Sequence, residues 1–408
     1  MNGLGNKIIE EKLIERHENH PRLVFLFGLL SFITAPFWFL RFFNFNFVLS
    51  DVLMFLLGLV LIYHCLAIRF KPIIFYIASA VFIIAATMAI LNSPLPFKAI
   101  TGTLQYLFIL FFLFPIIYNL LNYDLYQKYI KALCKVWAFF ILFNLFFLSN
   151  PLMYDSQRFK GFYGNPIDFG LILAVMLPLM INSAYMEKKI KWKILILLAV
   201  LTSIIFLLIS GSRGSILAAF IGIGVFIILI NGISFRSIRK LFLSLLLVTL
   251  ILISIMPHFP RNAFSRVFLE ENIETRLQQY GLSYQLFPNV FFLGYGLHAS
   301  GELIAQHGGD FRPHNFFIDI FLETGFFGFI AFVIIIWLCL GWGIKLLLIS
   351  LFKNIKVNSL VAATFSSGLI LFLATQVSTT PVHRGLWIFF AFNLWMATQK
   401  NFFDKKNY

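Results

Sequence analysis

The sequence predicts an all-α polytopic membrane protein, with about 12 transmembrane helices and a helical outer loop between spans 9 and 10. Three observations carry this reading. The 408 residues are 60% hydrophobic and only 12% charged, against about 25% charged in an average soluble chain. Apolar runs of roughly 20 residues, enough to cross a bilayer's hydrocarbon core, recur along the chain. Basic residues between those runs are sorted by side, as the positive-inside rule requires.

The elements follow in order. Residues 7–17 read as a short amphipathic helix on the cytoplasmic surface. Glu10, Glu11, Glu15 and Glu18 precede an apolar run of full span length, which predicts no cleavable signal. Spans are expected near 22–40, 47–67, 72–91, 100–120, 128–149, 165–186, 192–209, 214–231, 238–257, 326–349, 359–376 and 382–399. With the first segment inside, inner segments hold 22 of the 32 Lys and Arg residues and outer segments 10, which places both termini in the cytoplasm. The whole chain, 1–408, reads as a single transmembrane domain, with 258–325 as a periplasmic loop and surface helices. Cys65, Cys134 and Cys339 each lie inside an apolar run and read as small buried hydrophobes.

Basic residue type also differs by side. The inner face is rich in lysine, whereas the outer face carries Arg41, Arg158, Arg213, Arg261, Arg266, Arg276, Arg312 and Arg384 beside only Lys98 and Lys160. Topology accounts for the inner lysines but not for outer arginines. A guanidinium offers a planar fork of donors that matches phosphate. The pattern therefore points to a phosphorylated lipid handled at the outer surface. The net charge of +15 is mostly topogenic, so no nucleic-acid partner is expected.

Two places break the span pattern. Ser210-Gly211-Ser212-Arg213-Gly214-Ser215 is a tight outer turn between apolar spans. Arg213 there costs several kcal/mol unless compensated, and the small neighbours and the helix start behind it favour an anion. An arginine snorkelling to the interface fits the same residue. The second place is the outer segment 257–313. Residues 272–287 have helical spacing, with Leu277, Tyr280, Tyr284 and Phe287 on roughly one face. Arg276 on this helix suits either an anion or surface pairing with Glu274 or Glu271. Gly294-Tyr295-Gly296 reads as a turn, and a helix is expected from Pro313 to Glu323, broken by Gly325. His314, near Arg312 at that helix start, suits a neutral base or a structural role. Asn315, Asp319 and Glu323 share one face, which reads as orienting the helix.

Absences narrow the class. The sequence has no DxD pair, HExxH or Cys/His cluster, so no metal is expected. No phosphate-binding glycine loop occurs. Asp51 and Asp168 sit near outer span ends and leave the span centres without acids, unlike an ion-coupled transporter.

The order Ser212-Arg213-Gly214-Ser215, Thr275-Arg276-Leu277-Gln278-Gln279-Tyr280, Gly294-Tyr295-Gly296, Pro313-His314-Asn315 and Glu323-Thr324-Gly325 resembles the O-antigen ligase and polymerase superfamily of bacterial membrane glycosyltransferases. The resemblance is clearest over 158–330. Ser300-Gly301-Glu302-Leu303-Ile304-Ala305-Gln306-His307 also looks like the loop of enterobacterial ligases. The resemblance implies a GT-C type fold in the bacterial inner membrane and a cofactor-free, metal-independent transfer at the periplasmic face. A glycan would move from undecaprenyl diphosphate to the lipid A-core. It implies that Arg213 and Arg276 hold the diphosphate and that His314 is the base; the chemistry of the outer arginines adds Arg312, Arg158 and Arg384 as candidate helpers. Where family members carry an acid before the last span, this chain has Thr375-Gln376-Val377-Ser378, with Arg384 nearby. A growing glycan or a protein would serve as acceptor by the same chemistry. A flippase of lipid-linked oligosaccharide would instead need arginines inside a central cavity.

Overall fold

The computed structural model describes residues 72–120, 123–155, 158–163, 165–232, 271–309, 313, 315–353, 355–376 and 384–398, with a few isolated residues before 72. The 7–17 helix and the expected span near 238–257 lie outside the described residues, as do the expected spans near 22–40 and 47–67 apart from a few isolated positions.

Short strands β1 (Arg41–Phe42) and β2 (Phe47–Val48) pair antiparallel. The described helices are α1 (Ile73–Ile90), α2 (Pro96–Phe108), which passes through a π-turn at Ile109–Leu113 into α3 (Phe114–Leu120), and α4 (Tyr123–Asn144). A hairpin of β3 (Tyr154–Asp155) and β4 (Arg158–Phe159) follows. Then come α5 (Pro166–Met186), α6 (Ile190–Ile209), α7 (Arg213–Asn231), α8 (Glu271–Val290) and α9 (Ser300–Gln306). The last three are α10 (Phe316–Lys353), α11 (Ser359–Thr375) and α12 (Arg384–Thr398). Among the described residues, seven helical segments are long and apolar enough to cross a membrane, and two shorter apolar helices correspond to the last two expected spans. The protein is a multi-pass, all-α membrane protein.

Helix α5 is the buried centre. Its start is encoded locally: Asn165 accepts from the Ile167 N–H at 2.8 Å, and Pro166 takes a first-turn position that needs no N–H partner. Around it, small residues let helices approach closely, as is usual where lipid supplies no hydrophobic drive between helices. A Cβ on Gly222 of α7 would stand 2.2 Å from Ile370 of α11, and one on Gly343 of α10 would stand 1.9 Å from Phe365. Ser367 of α11 donates to the Val175 carbonyl of α5 at 2.7 Å, and Tyr126 bonds Thr364. Cys134 and Cys339 are buried, free thiols.

At the lysine-bearing end, Lys135 pairs with Glu187 at 3.2 Å and lies 4.7 Å from the centre of the Trp192 ring. At the arginine-bearing end, α10 breaks at Gly325, whose φ of 68° suits glycine. The break separates a short helical segment from the span that begins at Phe326. That segment starts at Phe316 rather than at Pro313. Asn315 accepts from the Phe317 and Ile318 N–H groups at 3.0 and 3.2 Å, so the side-chain cap and not the proline sets the start.

Candidate active site at the arginine-bearing end

The α6–α7 turn is a compact, buried structure. Gly211 adopts φ 60°, and its N–H closes on the Leu208 carbonyl at 3.0 Å. Ser210 donates to Leu207 at 2.7 Å, and the Ser212 and Ser215 hydroxyls bond at 2.8 Å. Gly170 on α5 makes room: a Cβ there would lie 2.7 Å from the Ser210 hydroxyl and 2.8 Å from Ser212 Cβ. The turn is thereby fixed to the buried central helix, and Arg213 leaves it as the first residue of α7.

Arg158 is held at this turn. From β4 its Nε donates to the Ser210 carbonyl at 2.7 Å. Sequence reasoning offered Arg158 as a phosphate helper. The structure shows it bonded to the backbone that leads into Arg213, a long-range contact with no local sequence signal.

Helix α8 covers 271–290, slightly longer than its periodicity suggests, and it brings Arg276 within electrostatic reach of Arg213. The Arg213 guanidinium is partly desolvated and feels the positive charge of Arg276. Both side chains are half-buried. Two residues far apart in sequence thus form one cationic locus.

The segment after α8 fastens it to α10. The 294–296 stretch lies along α10 instead of closing a turn on itself. Tyr295 N–H reaches the Leu322 carbonyl at 2.8 Å, Gly296 N–H the Glu323 carbonyl at 2.9 Å, and Phe326 N–H the Phe291 carbonyl at 2.8 Å. A Cβ on Gly294 would fall 2.3 Å from the Glu323 carbonyl, so only glycine permits this approach. Ser300 adds a side-chain clasp, its hydroxyl donating to Glu323 Oε1 at 2.9 Å and its N–H to the same oxygen at 3.4 Å. Glu323 is 5% exposed. The face of Asn315 and Glu323 therefore orients the first segment of α10: one residue caps it and the other ties it to the α8–α9 connection and the start of α9. The same connection holds a strained residue that sequence reasoning missed, His298, at φ 66° and packed against Gly102 of α2.

His314 and Arg312 lie outside the described residues; the chain places His314 between Pro313 and the capping Asn315. Arg384 is the first residue of α12, and its side chain is likewise outside them. His307 turns its Nδ1 to the Leu303 carbonyl of its own helix at 2.9 Å. Among the described residues, no three His, Cys, Asp or Glu side chains gather as a metal site.

No curated protein matches the chain. Residues 198–333 match the family model described as O-antigen ligase, a stretch that includes Arg213, Arg276 and His314. Over this stretch, about a third of the chain, which builds the cationic turn, the α8 arginine and the clasped start of α10, the protein is similar to the O-antigen ligase family.

Proposed function

We propose that the protein transfers an O-antigen polysaccharide from undecaprenyl diphosphate to the lipid A-core at the periplasmic face of the inner membrane, without a metal. The observation that carries this reading is that Arg213, at the start of α7, and Arg276, on α8, lie within electrostatic reach of one another. Like charges held together in a partly desolvated place favour a multiply charged anion, and a diphosphate fits two forked donors. When the sugar–phosphate bond breaks, negative charge grows on the leaving diphosphate. Donors placed beforehand stabilise that charge at the transition state. The acceptor hydroxyl attacks the anomeric carbon from the opposite side, so one displacement inverts it. His314 takes the hydroxyl proton. Arg312 and Arg384 stand as helpers on the diphosphate, and Arg158 acts through the turn it holds.

The test is transfer by purified, folded protein in lipid, with a polyprenyl-diphosphate glycan as donor. Arg213→Ala and Arg276→Ala should each lower the rate by about 10²-fold or more, or about 2.7 kcal/mol, as loss of an oxyanion donor does. Lysine should rescue poorly because it lacks the fork. A wild-type rate for either alanine variant removes that arginine from the diphosphate site. The acceptor is tested by a deletion strain. Loss of all capped lipopolysaccharide with long lipid-linked chains accumulating supports the ligase, and single-repeat capping would make it a polymerase.

A further inference from the structure

Helix α8 has three sides. Gln279, Ser283, Leu286 and Val290 form the buried side. On the 3.6-residue period, one exposed stripe is apolar: Leu277, Gly281, Tyr284 and Pro288. Leu277 is 62% exposed and Tyr284 61%, and nothing lies within 4 Å of where a Cβ on Gly281 would be. The other exposed stripe is polar: Glu274, Gln278, Gln285 and Asn289. A helix wholly in water needs no such division of its exposed side. A helix at a lipid–water boundary does.

The apolar stripe is not isolated. It runs into Phe291, Phe292 and Leu293, all exposed. The Phe291 ring stacks on Phe326 at 5.2 Å and an interplanar angle of 14°. Phe326 and Phe327 open the membrane-crossing part of α10, whose exposed flank continues through Ile330, Ile334 and Trp337. The exposed apolar side of α8 is therefore continuous with the lipid-facing flank of a span.

We infer that α8 lies in the lipid interface at the arginine-bearing end, with Leu277 and Tyr284 against acyl chains and the Gln278–Gln285 stripe in water. Its partner is the lipid surface itself. Tyrosine suits this depth, having an apolar body and a polar tip. The placement sets Arg276 on the seam between the buried side and the lipid-facing stripe. Resting on the function proposed above, that seam lets a lipid-borne diphosphate reach Arg276 sideways from the leaflet without leaving headgroup level.

The placement is tested without reference to activity. Spin labels are attached to the single variants Leu277→Cys, Tyr284→Cys, Gln278→Cys and Gln285→Cys in vesicles of phosphatidylethanolamine and phosphatidylglycerol. The signal of the labelled parent is subtracted; its Cys134 and Cys339 are buried. Collision of each label with oxygen and with a water-soluble nickel chelate is then measured. Labels at 277 and 284 should favour oxygen several-fold more than those at 278 and 285. Equal nickel access at all four positions overturns the inference, as does shielding of 277 and 284 from both reagents, which would mean a protein cover. Lipid-type access together with wild-type transfer by Arg276→Ala would keep the placement and remove the diphosphate role.

Discussion

Arg158 and Ser210 are joined across two elements: the guanidinium of the β3–β4 hairpin donates from Nε to the carbonyl of the turn residue at 2.7 Å. Ser210 is fully buried. The bond fixes the backbone from which Arg213 emerges two residues later. Arg158 is thus a positioning residue for Arg213. Its loss removes a charged donor from a buried carbonyl, an effect of about 1.5–3 kcal/mol.

Arg158→Gln is expected to lower transfer about tenfold or more on that basis. The decisive measurement is a double-mutant cycle with Arg213→Ala. If Arg158 acts through Arg213, its substitution changes little once Arg213 is gone, because neighbours in one network are not additive. Fully additive losses would make Arg158 a separate ligand of the diphosphate.

Glu323 and Ser300 give a second prediction. Glu323→Gln keeps an oxygen that can accept from Ser300, so it should retain most of the transfer rate. Glu323→Ala leaves the buried Ser300 donors without that acceptor, at about 1–3 kcal/mol, and should reduce both rate and thermal stability. The pair is compared by melting temperature and turnover at equal folded protein. A glutamine variant that is stable yet inactive would show that the carboxylate's charge belongs to the chemistry.

The lysine-bearing end carries a pH-dependent contact. The Glu187 carboxyl is held below the usual carboxylate range, first by the Lys189 backbone N–H and then by Lys135, while partial burial opposes them. A depressed folded-state pKa contributes stability above the unfolded value, and that contribution is lost as pH falls through the folded value. The wild-type protein should therefore lose thermal stability relative to Glu187→Gln as pH drops from neutral into the acid carboxylate range. Parallel curves over that range would mean that the pair contributes nothing.

Legibility followed the range of the interactions. The nine described span helices sit where hydropathy put them, because a run of apolar residues in lipid has one way to satisfy its backbone. Gly325 was readable as a break because glycine is the residue for its φ of 68°. Arg213 and Arg276 stand out in the sequence one at a time, but their electrostatic proximity does not, since it depends on how α8 lies against the bundle. The role of Arg158 was hidden for the same reason: its partner is a backbone carbonyl, and a carbonyl has no sequence signature. The start at Phe316 instead of Pro313 turned on a local competition between a proline preference and an asparagine cap, and the cap satisfies two N–H groups.

His314 carries the last prediction. It stands in sequence directly before Asn315, whose side chain caps the first segment of α10, and that segment is tied through Glu323 and Ser300 to the start of α9 and through Phe326 and Phe291 to the residue after α8. The tie couples the histidine's segment to the helix that bears Arg276. If His314 is the base, His314→Ala should abolish turnover and still bind the lipid-linked donor, because Arg213 and Arg276 remain. Wild-type transfer should fall on the acid side of its pH profile, as protonation of the imidazole removes the base. Donor affinity is measured by equilibrium binding beside the turnover assay. Loss of donor binding together with turnover would make His314 a substrate-positioning residue. A near-normal rate would remove it from the mechanism and move the search to Glu302, His307 and Asp310.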